Sequence, residues 1–425
     1  MGATLAEKII AKAAGRESVE PGEFVTCGVD LAMMHDSGGP RRVKPILIKL
    51  GAKVWDPDKV VVITDHFVPP VDAMSAAILD LTRKWVAENG IKKFHDMQGI
   101  CHVVLPERGH LSPGMFVVGG DSHSPTGGAF GSFMFGVGAT DMAGVLVTGQ
   151  TWVKTPGTMR IDINGDLGVG VSAKDIILHL CARIGMGGAQ YQVVEYTGDT
   201  VANLPMTERM TLSNMAAELG AQAGLIAADE TTSAYIRAAG GDAGDPAQWQ
   251  SDADATYLAT HTVDAAALTP YVAAPHSPAN SAPVDEHEGV AVHQAYIGAC
   301  TGAKLEDLHM AASVLKGRKV SNQTRLLLAP ASTRITAAAA ADGTLATLTE
   351  AGAILMPSGC GACAGYGAGI LAEDEVCISS TARNFQGRMG AISSKVYLGS
   401  PYTVAASAIA GHITDPREFL NGSTA

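Results

Sequence analysis

Two hydrophobic periods alternate along the chain, one typical of buried strands and the other of amphipathic helices. Short apolar runs at residues 60–64 and 115–118 predict strands, and the longer pattern at residues 70–89 predicts a helix. At the start of the chain, Thr4 and Glu7 have the spacing of a capping box in front of an apolar helical stripe. Because strands and helices alternate, we predict an α/β fold.

The same alternation continues through the rest of the chain. Residues 159–165 predict a strand, residues 172–185 predict a capped helix, and residues 293–298 predict a further strand. Four prolines between residues 270 and 283 predict a linker. We therefore predict three α/β domains, at residues 1–153, 154–285 and 286–425.

Two less regular segments lie between these elements. The glycine-dense stretch at residues 119–141 predicts a loop that leads into a buried helix. The polar, alanine-rich stretch at residues 231–262 predicts a peripheral segment. Only the first of these two segments carries candidate chemistry, because Asp121, Ser122 and His123 lie in it.

The composition narrows the class of protein. Acidic residues outnumber basic residues by 42 to 30, and the formal net charge is −12, which argues against nucleic acid or an anionic membrane as the main partner. Seven cysteines spread over 425 residues do not indicate a disulfide framework. The N-terminal stretch lacks the apolar core of a signal peptide. We therefore expect a reduced, cytoplasmic protein that binds neither nucleic acid nor membrane.

Three cysteines are candidate metal ligands. Cys300 ends a predicted strand-to-helix turn, and Cys360 and Cys363 form a Cys-x-x-Cys pair in a glycine-rich loop. Thiolates bind both zinc and iron–sulfur clusters. A four-iron cluster held by three thiolates leaves one iron without a protein ligand, and that iron can act as a Lewis acid. The alternative is a Cys-x-x-Cys turn with an unrelated Cys300.

Histidines and acids follow several predicted strands of the first domain. Asp65 and His66 follow one apolar strand, and Asp121 and His123 follow another, while His102 stands next to Cys101. A histidine beside a carboxylate at a strand end suits general-acid chemistry. Each pair alone is more often structural, but several at successive edges of one sheet indicate a ligand site.

Two arginines and a glutamate complete the candidates. Arg383 and Arg388 lie in a loop after an apolar strand, where a guanidinium can bind a carboxylate through two hydrogen bonds. The alternative is that both are ordinary surface residues. Glu195 ends another apolar strand, and its acid could accept a hydrogen bond from a ligand or cap a helix.

Taken together, these motifs resemble the aconitase superfamily, specifically the large subunit of 3-isopropylmalate dehydratase, an isomerase of leucine biosynthesis, and its homoaconitase-like relatives. The resemblance runs nearly from end to end of the chain. The segments that carry it include ITDHFVPP, GICHVVLPE, GGDSHSPTGG, MTLSNMAAELGA, IGACTGAKLEDL, GCGACAGYGAG and ARNFQGRMGA. Two positions depart from the family pattern, because Gly302 and Ala382 stand where the family usually has asparagine.

The resemblance implies a fold of three α/β/α domains packed around a central cluster, with a fourth, mobile domain. It implies one [4Fe–4S] cluster per large subunit, held by Cys300, Cys360 and Cys363. It implies that Arg383 and Arg388 bind substrate carboxylates. The family's catalytic acids, histidines and hydroxyl match Asp65, His66, His102, Asp121, Ser122, His123 and Glu195.

The implied activity is that of a hydro-lyase that reversibly dehydrates or isomerises a 2-hydroxy di- or tricarboxylic acid. His102, with Asp121 and His123 nearby, would help protonate the departing oxygen. Homoaconitate, citramalate, dimethylmalate and maleate or malate remain open beside 3-isopropylmalate. The sequence ends soon after GHITDPREFL, the family's usual end of the third domain. We therefore expect a separate small subunit that carries the fourth domain and supplies a catalytic serine.

Two other classes of function compete with this hypothesis. A cluster-sensing regulator that binds RNA without its cluster is disfavoured by the net charge of −12. An electron carrier is disfavoured because a site with only three cysteines leaves one iron open.

Overall fold

A computed structural model describes residues 2–420, so residues 1 and 421–425 of the predicted first and third domains lie outside the described part. Within residues 2–420, no helix is long and apolar enough to cross a lipid bilayer. The elements of the first unit are α1 (Leu5–Ala13), β1 (Phe24–Gly28), β2 (Leu31–His35), α2 (Pro40–Leu50), β3 (Val60–Ile63), α3 (Ala73–Glu88), β4 (Lys93–His95), α4 (Cys101–Glu107), β5 (Phe116–Gly119), β6 (Phe133–Gly136), α5 (Ala139–Thr148) and β7 (Gln150–Lys154).

The first sheet contains five parallel strands in the order β4-β3-β2-β5-β6. The chain runs outward from β2 to β3 and β4, and then returns to add β5 and β6 on the other side. The sheet therefore has a topological switch point between β2 and β5, which is where open α/β sheets bind their ligands. The loops after β2, β3 and β5 carry His35–Asp36, Asp65–His66 and Asp121–His123.

The second unit has a smaller parallel sheet in the order β10-β9-β8-β11. The capping box predicted at the start of its main helix is present, with Ser172 as the N-cap and Asp175 as its partner. The elements of this unit are β8 (Thr158–Asn164), α6 (Ala173–Ile184), β9 (Val193–Thr197), α7 (Asp199–Asn203), α8 (Met206–Asn214), β10 (Ala223–Leu225), α9 (Glu230–Ala238) and β11 (Ala259–Asp264).

The third unit has a seven-stranded sheet in the order β13-β12-β18-β17-β14-β15-β16. It has its own switch point between β14 and β17, flanked by the loop that carries Cys300 and the loop that carries Arg383. The elements of this unit are β12 (Tyr271–Ala273), β13 (Ser281–Pro283), β14 (Gln294–Ile297), α10 (Leu305–Leu315), β15 (Arg325–Leu328), α11 (Thr333–Ala341), α12 (Thr344–Ala351), β16 (Ile354–Leu355), β17 (Val376–Ser379), β18 (Lys395–Leu398), α13 (Pro401–Ala410) and α14 (Arg417–Leu420).

The structure confirms the capping box of Thr4 and Glu7 and the predicted strands and helices. Two expectations need correction. The proline-rich linker contains β12 and β13, which pair antiparallel at the edge of the third sheet, because a proline can end a short edge strand. The glycine-dense stretch contains the short buried strand β6 ahead of α5, since apolar Phe-Met-Phe pairs in parallel with β5. The domain boundaries themselves stay a prediction.

Candidate active site

Asp36 shapes the turn that presents Asp65 and His66. Its carboxylate accepts hydrogen bonds from the backbone N–H groups of Asp65, His66 and Phe67 at 3.1, 3.0 and 2.8 Å. Asp36 is fully buried, at 0% exposure, so these bonds replace its lost water. Because β2 and β3 are neighbours, the residue after one strand can hold the loop after the next.

Asp65 and His66 form a buried ion pair at the end of β3. His66 Nδ1 donates to Asp65 Oδ1 at 2.6 Å, and Asp65 Oδ2 accepts the backbone N–H of Cys101 at 2.7 Å. Burial by itself would lower the pKa of His66, but Asp65, with Asp121 and Asp36, raises it to about 9. Burial would raise the pKa of Asp65, but His66 lowers it to about 2. His66 is therefore protonated at neutral pH.

Several histidines surround the carboxylate of Asp121. His102, in the first turn of α4, donates from Nε2 to Asp121 Oδ1 at 2.8 Å, and the backbone N–H of His123 donates to the same oxygen at 2.8 Å. The other oxygen, Oδ2, lies 3.8 Å from Nε2 of both His66 and His35. The two predicted histidine–acid pairs and His102 are thus brought together in a single cluster at the switch point.

Arg383 reaches this cluster from the third unit. Its Nε donates to Glu218 Oε1 at 2.5 Å, and its Nη1 donates to Ser122 Oγ at 2.8 Å. Glu218 Oε1 also lies 3.3 Å from His123 Nε2. Burial would raise the pKa of Glu218, but the charges of His123 and Arg383 lower it, so Glu218 is an anion that fixes both neighbours.

The three candidate cysteines lie against the same cluster. Cys300 Sγ accepts a hydrogen bond from Asn214 Nδ2 at 3.1 Å, and the backbone N–H of Cys360 donates to the Asp65 carbonyl at 2.8 Å. Burial raises the pKa of the Cys300 thiol to about 12 and that of Cys360 well above its usual value. Burial would lower the pKa of Arg388, but its contacts with Cys363 raise it, so this arginine faces the thiols.

Thiolates are ligands of iron–sulfur clusters and of zinc, and the side chains around these three free cysteines leave polar atoms without a partner in the described part of the chain. Buried polar groups normally have partners. The polar atoms around this site that lack one within residues 2–420 are His102 Nδ1, Asn214 Oδ1, Glu218 Oε2 and Arg388 Nε.

Glu195 does not join the site, and its predicted catalytic role needs correction. Its carboxylate accepts from Ser251 Oγ at 2.9 and 2.8 Å and lies 3.5 Å from the Tyr257 hydroxyl. Ser251 Oγ in turn accepts the backbone N–H of Leu5 in α1. Glu195 therefore ties β9 to the chain terminus and to the segment predicted to be peripheral. That segment has a structural role, because it satisfies a buried acid.

Glu218 is a buried acid of this cluster that the sequence reasoning missed. It lies in an apolar helical turn at residues 215–219 and has no exposed surface. A charged residue embedded among alanine, methionine and leucine is a signal of a paired site, because unpaired charges are almost never fully buried. Asn214 was missed as a site residue for a different reason, since it acts through the hydrogen bond that it donates to the Cys300 thiol.

The two departures from the family pattern are Gly302, two residues after Cys300, and Ala382, next to Arg383. A Cβ on Gly302 would stand 2.1 Å from Ser380 Oγ and 2.6 Å from the Ser380 carbonyl oxygen. Ser380 fills that space because its hydroxyl accepts the N–H of Gly298 at 3.1 Å. A glycine at position 302 is thus required by this packing. Ala382 is fully buried beside Arg383.

Comparison with known proteins gives a consistent assignment. A family model described as the aconitase family (aconitate hydratase) matches residues 7–411. The 3-isopropylmalate dehydratase large subunit 1 of Methanopyrus kandleri is 46% identical over 99% of this chain and 100% of that protein. A probable methanogen homoaconitase large subunit of Methanothermobacter thermautotrophicus is 45% identical over 97% of each chain. The holo-form crystal structure of Thermococcus kodakaraensis aconitase X has a TM-score of 0.52 at 13% identity, covering 87% of this chain and 88% of that one, which supports the fold alone.

Proposed function

We propose that this chain, which belongs to the aconitase family and is a hydro-lyase, is the large subunit of a 3-isopropylmalate dehydratase. The substrate class is a 2-hydroxy di- or tricarboxylic acid that is reversibly dehydrated and rehydrated. The observation that carries the proposal is the convergence of the Asp65–His66 pair, the Asp121 carboxylate with its histidines, and Arg383 beside three free thiols, of which Cys300 and Cys363 are buried and Cys360 is half-buried. That combination offers a proton donor, a carboxylate binder and metal ligands at one place.

Cys300, Cys360 and Cys363 are proposed to hold one [4Fe–4S] cluster. When bound, such a cluster supplies a Lewis acid that polarises the hydroxyl and carboxylate oxygens of a substrate. Support comes from the three free thiols, of which Cys300 and Cys363 are buried and Cys360 is half-buried, and from the family, whose members generally bind this cluster. Asn214 orients the Cys300 thiol, and Arg388 places a positive charge beside Cys363.

His66 is proposed to protonate the departing hydroxyl group. Its pKa of about 9 keeps a proton on the ring at neutral pH, and Asp65 fixes the ring through Nδ1 so that Nε2 is the donating atom. The sequence reasoning gave this role to His102. In the present arrangement His102 Nε2 is engaged by Asp121, so we assign it the role of holding that carboxylate.

Arg383 is proposed to bind a substrate carboxylate. Glu218 and Ser122 engage two of its N–H groups and leave others for a ligand. A cavity of about 400 Å³ is lined in part by Asp121, Ser122 and Arg383. Arg388 is a second carboxylate binder in this proposal, since its buried Nε has no hydrogen-bond partner within residues 2–420.

A base must still remove the proton from the carbon next to the hydroxyl-bearing carbon. We assign that base to a serine of a small subunit that closes the site. The relatives at 42–46% identity that are named large subunits support a two-chain enzyme. A second candidate substrate is the homoaconitate class, because relatives named homoaconitase large subunits are 44–45% identical over nearly the whole chain.

A substrate panel tests the proposal. The chain, produced anaerobically together with its small subunit, is given 3-isopropylmalate, homocitrate, citramalate, dimethylmalate and malate, and formation of the unsaturated acid is followed by its ultraviolet absorbance. The proposal expects the highest kcat/KM for 3-isopropylmalate. A higher value for homocitrate would select the second candidate, and no turnover together with RNA binding by the cluster-free chain would select a regulator.

A further inference from the structure

A buried lysine joins the two loops that flank the switch point of the third sheet. Lys174 lies in the first turn of α6, in the second unit, and is 1% exposed. Its Nζ donates to Thr301 Oγ1 at 3.3 Å and to the carbonyl oxygens of Ser380 and Thr381 at 3.0 and 2.6 Å. An ammonium has three N–H donors, so all of them are used inside the protein.

The three acceptors lie in the loop that carries Cys300 and in the loop that carries Arg383. Thr301 directly follows Cys300, and Thr381 stands two residues before Arg383. Thr301 Oγ1 also donates to the Ser380 carbonyl at 2.9 Å, so the two loops are linked to each other as well as to Lys174. A change in this contact would move the thiol and the guanidinium relative to each other.

Packing alone does not explain a lysine at this position. Burial disfavours the charged amine, and the nearby Lys304 disfavours it further. A complete buried ion pair can often be replaced by well-packed apolar side chains with no loss of stability, so the packing does not by itself require a charge here. Three hydrogen-bond acceptors and the nearby acids Glu218 and Asp307 stabilise the charge of Lys174. This arrangement indicates that the lysine fixes the relative placement of the loops that it contacts.

We propose that Lys174 is a positioning residue that sets the placement of the Cys300 thiol relative to the Arg383 guanidinium. The roles of Cys300 as a cluster ligand and of Arg383 as a substrate binder rest on the proposed function. The link itself is a property of the chain, and it can be measured without cluster or substrate.

The test compares Lys174→Met with Arg209→Met in the full-length chain. Arg209 is an equally buried cation in the second unit, and it pairs with Asp229 at 2.8 and 2.7 Å and with the carbonyls of Ala202 and Leu204. Both variants lose a buried charge and share any general destabilisation. Only Lys174→Met releases the Cys300 loop.

The first readout is alkylation of Cys300 by iodoacetamide in the cluster-free chain, followed by mass spectrometry with the buried Cys181 as internal reference. Lys174→Met should alkylate Cys300 about 10-fold faster, as expected for the loss of hydrogen bonds to a charged group. Arg209→Met should leave the ratio of Cys300 to Cys181 at the wild-type value. Equal ratios in wild type and Lys174→Met, or equal increases in both variants, would overturn the proposal.

The second readout uses the cluster-loaded enzyme with its small subunit. Lys174→Met should raise KM for the hydroxy acid more than it lowers kcat, because Arg383 is misplaced, and a chelator should remove iron faster. If Lys174→Met does not fold, Thr301→Val removes the acceptor next to Cys300 and should by itself speed Cys300 alkylation, whereas an unchanged rate overturns the proposal. A wild-type chain that takes up no cluster contradicts the proposed function, while the alkylation ratios still decide the role of Lys174.

Discussion

The imidazole of His35 stacks on the imidazole of His66, with ring centroids 4.1 Å apart and planes inclined by 20°. Burial and the neighbouring His66 charge lower the pKa of His35, while Asp65 prevails over burial and raises the pKa of His66 to about 9. The neutral imidazole of His35 thus packs against the charged imidazole of His66. His35 Nε2 donates to the Gly120 carbonyl at 2.9 Å and Gly38 N–H donates to its Nδ1, which fits the neutral form.

The His66 pKa predicts how stability depends on pH. Because the pKa is raised on folding, its contribution is fully present below 6.5 and is lost as the pH rises through about 9. The loss should be of order 3 kcal/mol. Urea unfolding at the two ends of this range should show a smaller loss for His66→Gln. The exposed pair of His309 and Asp342 supplies the control, since His309→Gln should keep the wild-type slope.

Replacement of Glu218 and of Glu195 by glutamine separates the roles of these two buried acids. Glu218→Gln should lower kcat/KM at least about 10-fold, because Arg383 and His123 lose their anionic partner. Glu195→Gln should change kcat/KM less than about 2-fold, since its partners Ser251 and Tyr257 lie outside the site. Steady-state kinetics of the two-chain enzyme decides the matter, and a larger effect at Glu195 would contradict the assignment.

The positions of these acids in the fold show which site residues can be predicted from a sequence. Asp65, His66 and Asp121 could be predicted because each follows a strand, and parallel strands of one sheet end at one edge. Glu195 also belongs to a strand, but that strand belongs to the second sheet, and the side-chain alternation within a strand does not say which unit covers it. Glu218 was missed because it lies in a helical turn, where only its partners from the other units reveal its role.

The packing of Gly302 against Ser380 predicts a cost for any side chain at that position. Gly302→Ala should lower the free energy of unfolding by about 1–3 kcal/mol, because a Cβ would overlap Ser380 Oγ. Gly302→Ala combined with Ser380→Gly should recover part of the loss. Gly144→Ala in α5 is the matched control and should be neutral or stabilising, since its Cβ meets nothing within 4 Å. Equal unfolding curves for Gly302→Ala and Gly144→Ala would refute the packing argument.

Single cysteine replacements test the metal ligands. Ser in place of Cys300, Cys360 or Cys363 should abolish the visible iron–sulfur absorbance of the anaerobic protein, because each thiolate is needed to hold the cluster. Cys377→Ala should keep that absorbance, since Cys377 lies in β17 in an apolar core. Iron and acid-labile sulfide per chain provide the quantity to compare. A full cluster in Cys363→Ser would remove this residue from the ligand set.

The most direct test of the central claim is turnover of 3-isopropylmalate by the cluster-loaded chain together with its small subunit. The account predicts reversible dehydration that is lost when a chelator removes iron and is lost again in Arg383→Lys, whose amine cannot replace the paired N–H groups of a guanidinium. A complex that holds a full cluster and converts none of the related 2-hydroxy acids would contradict it.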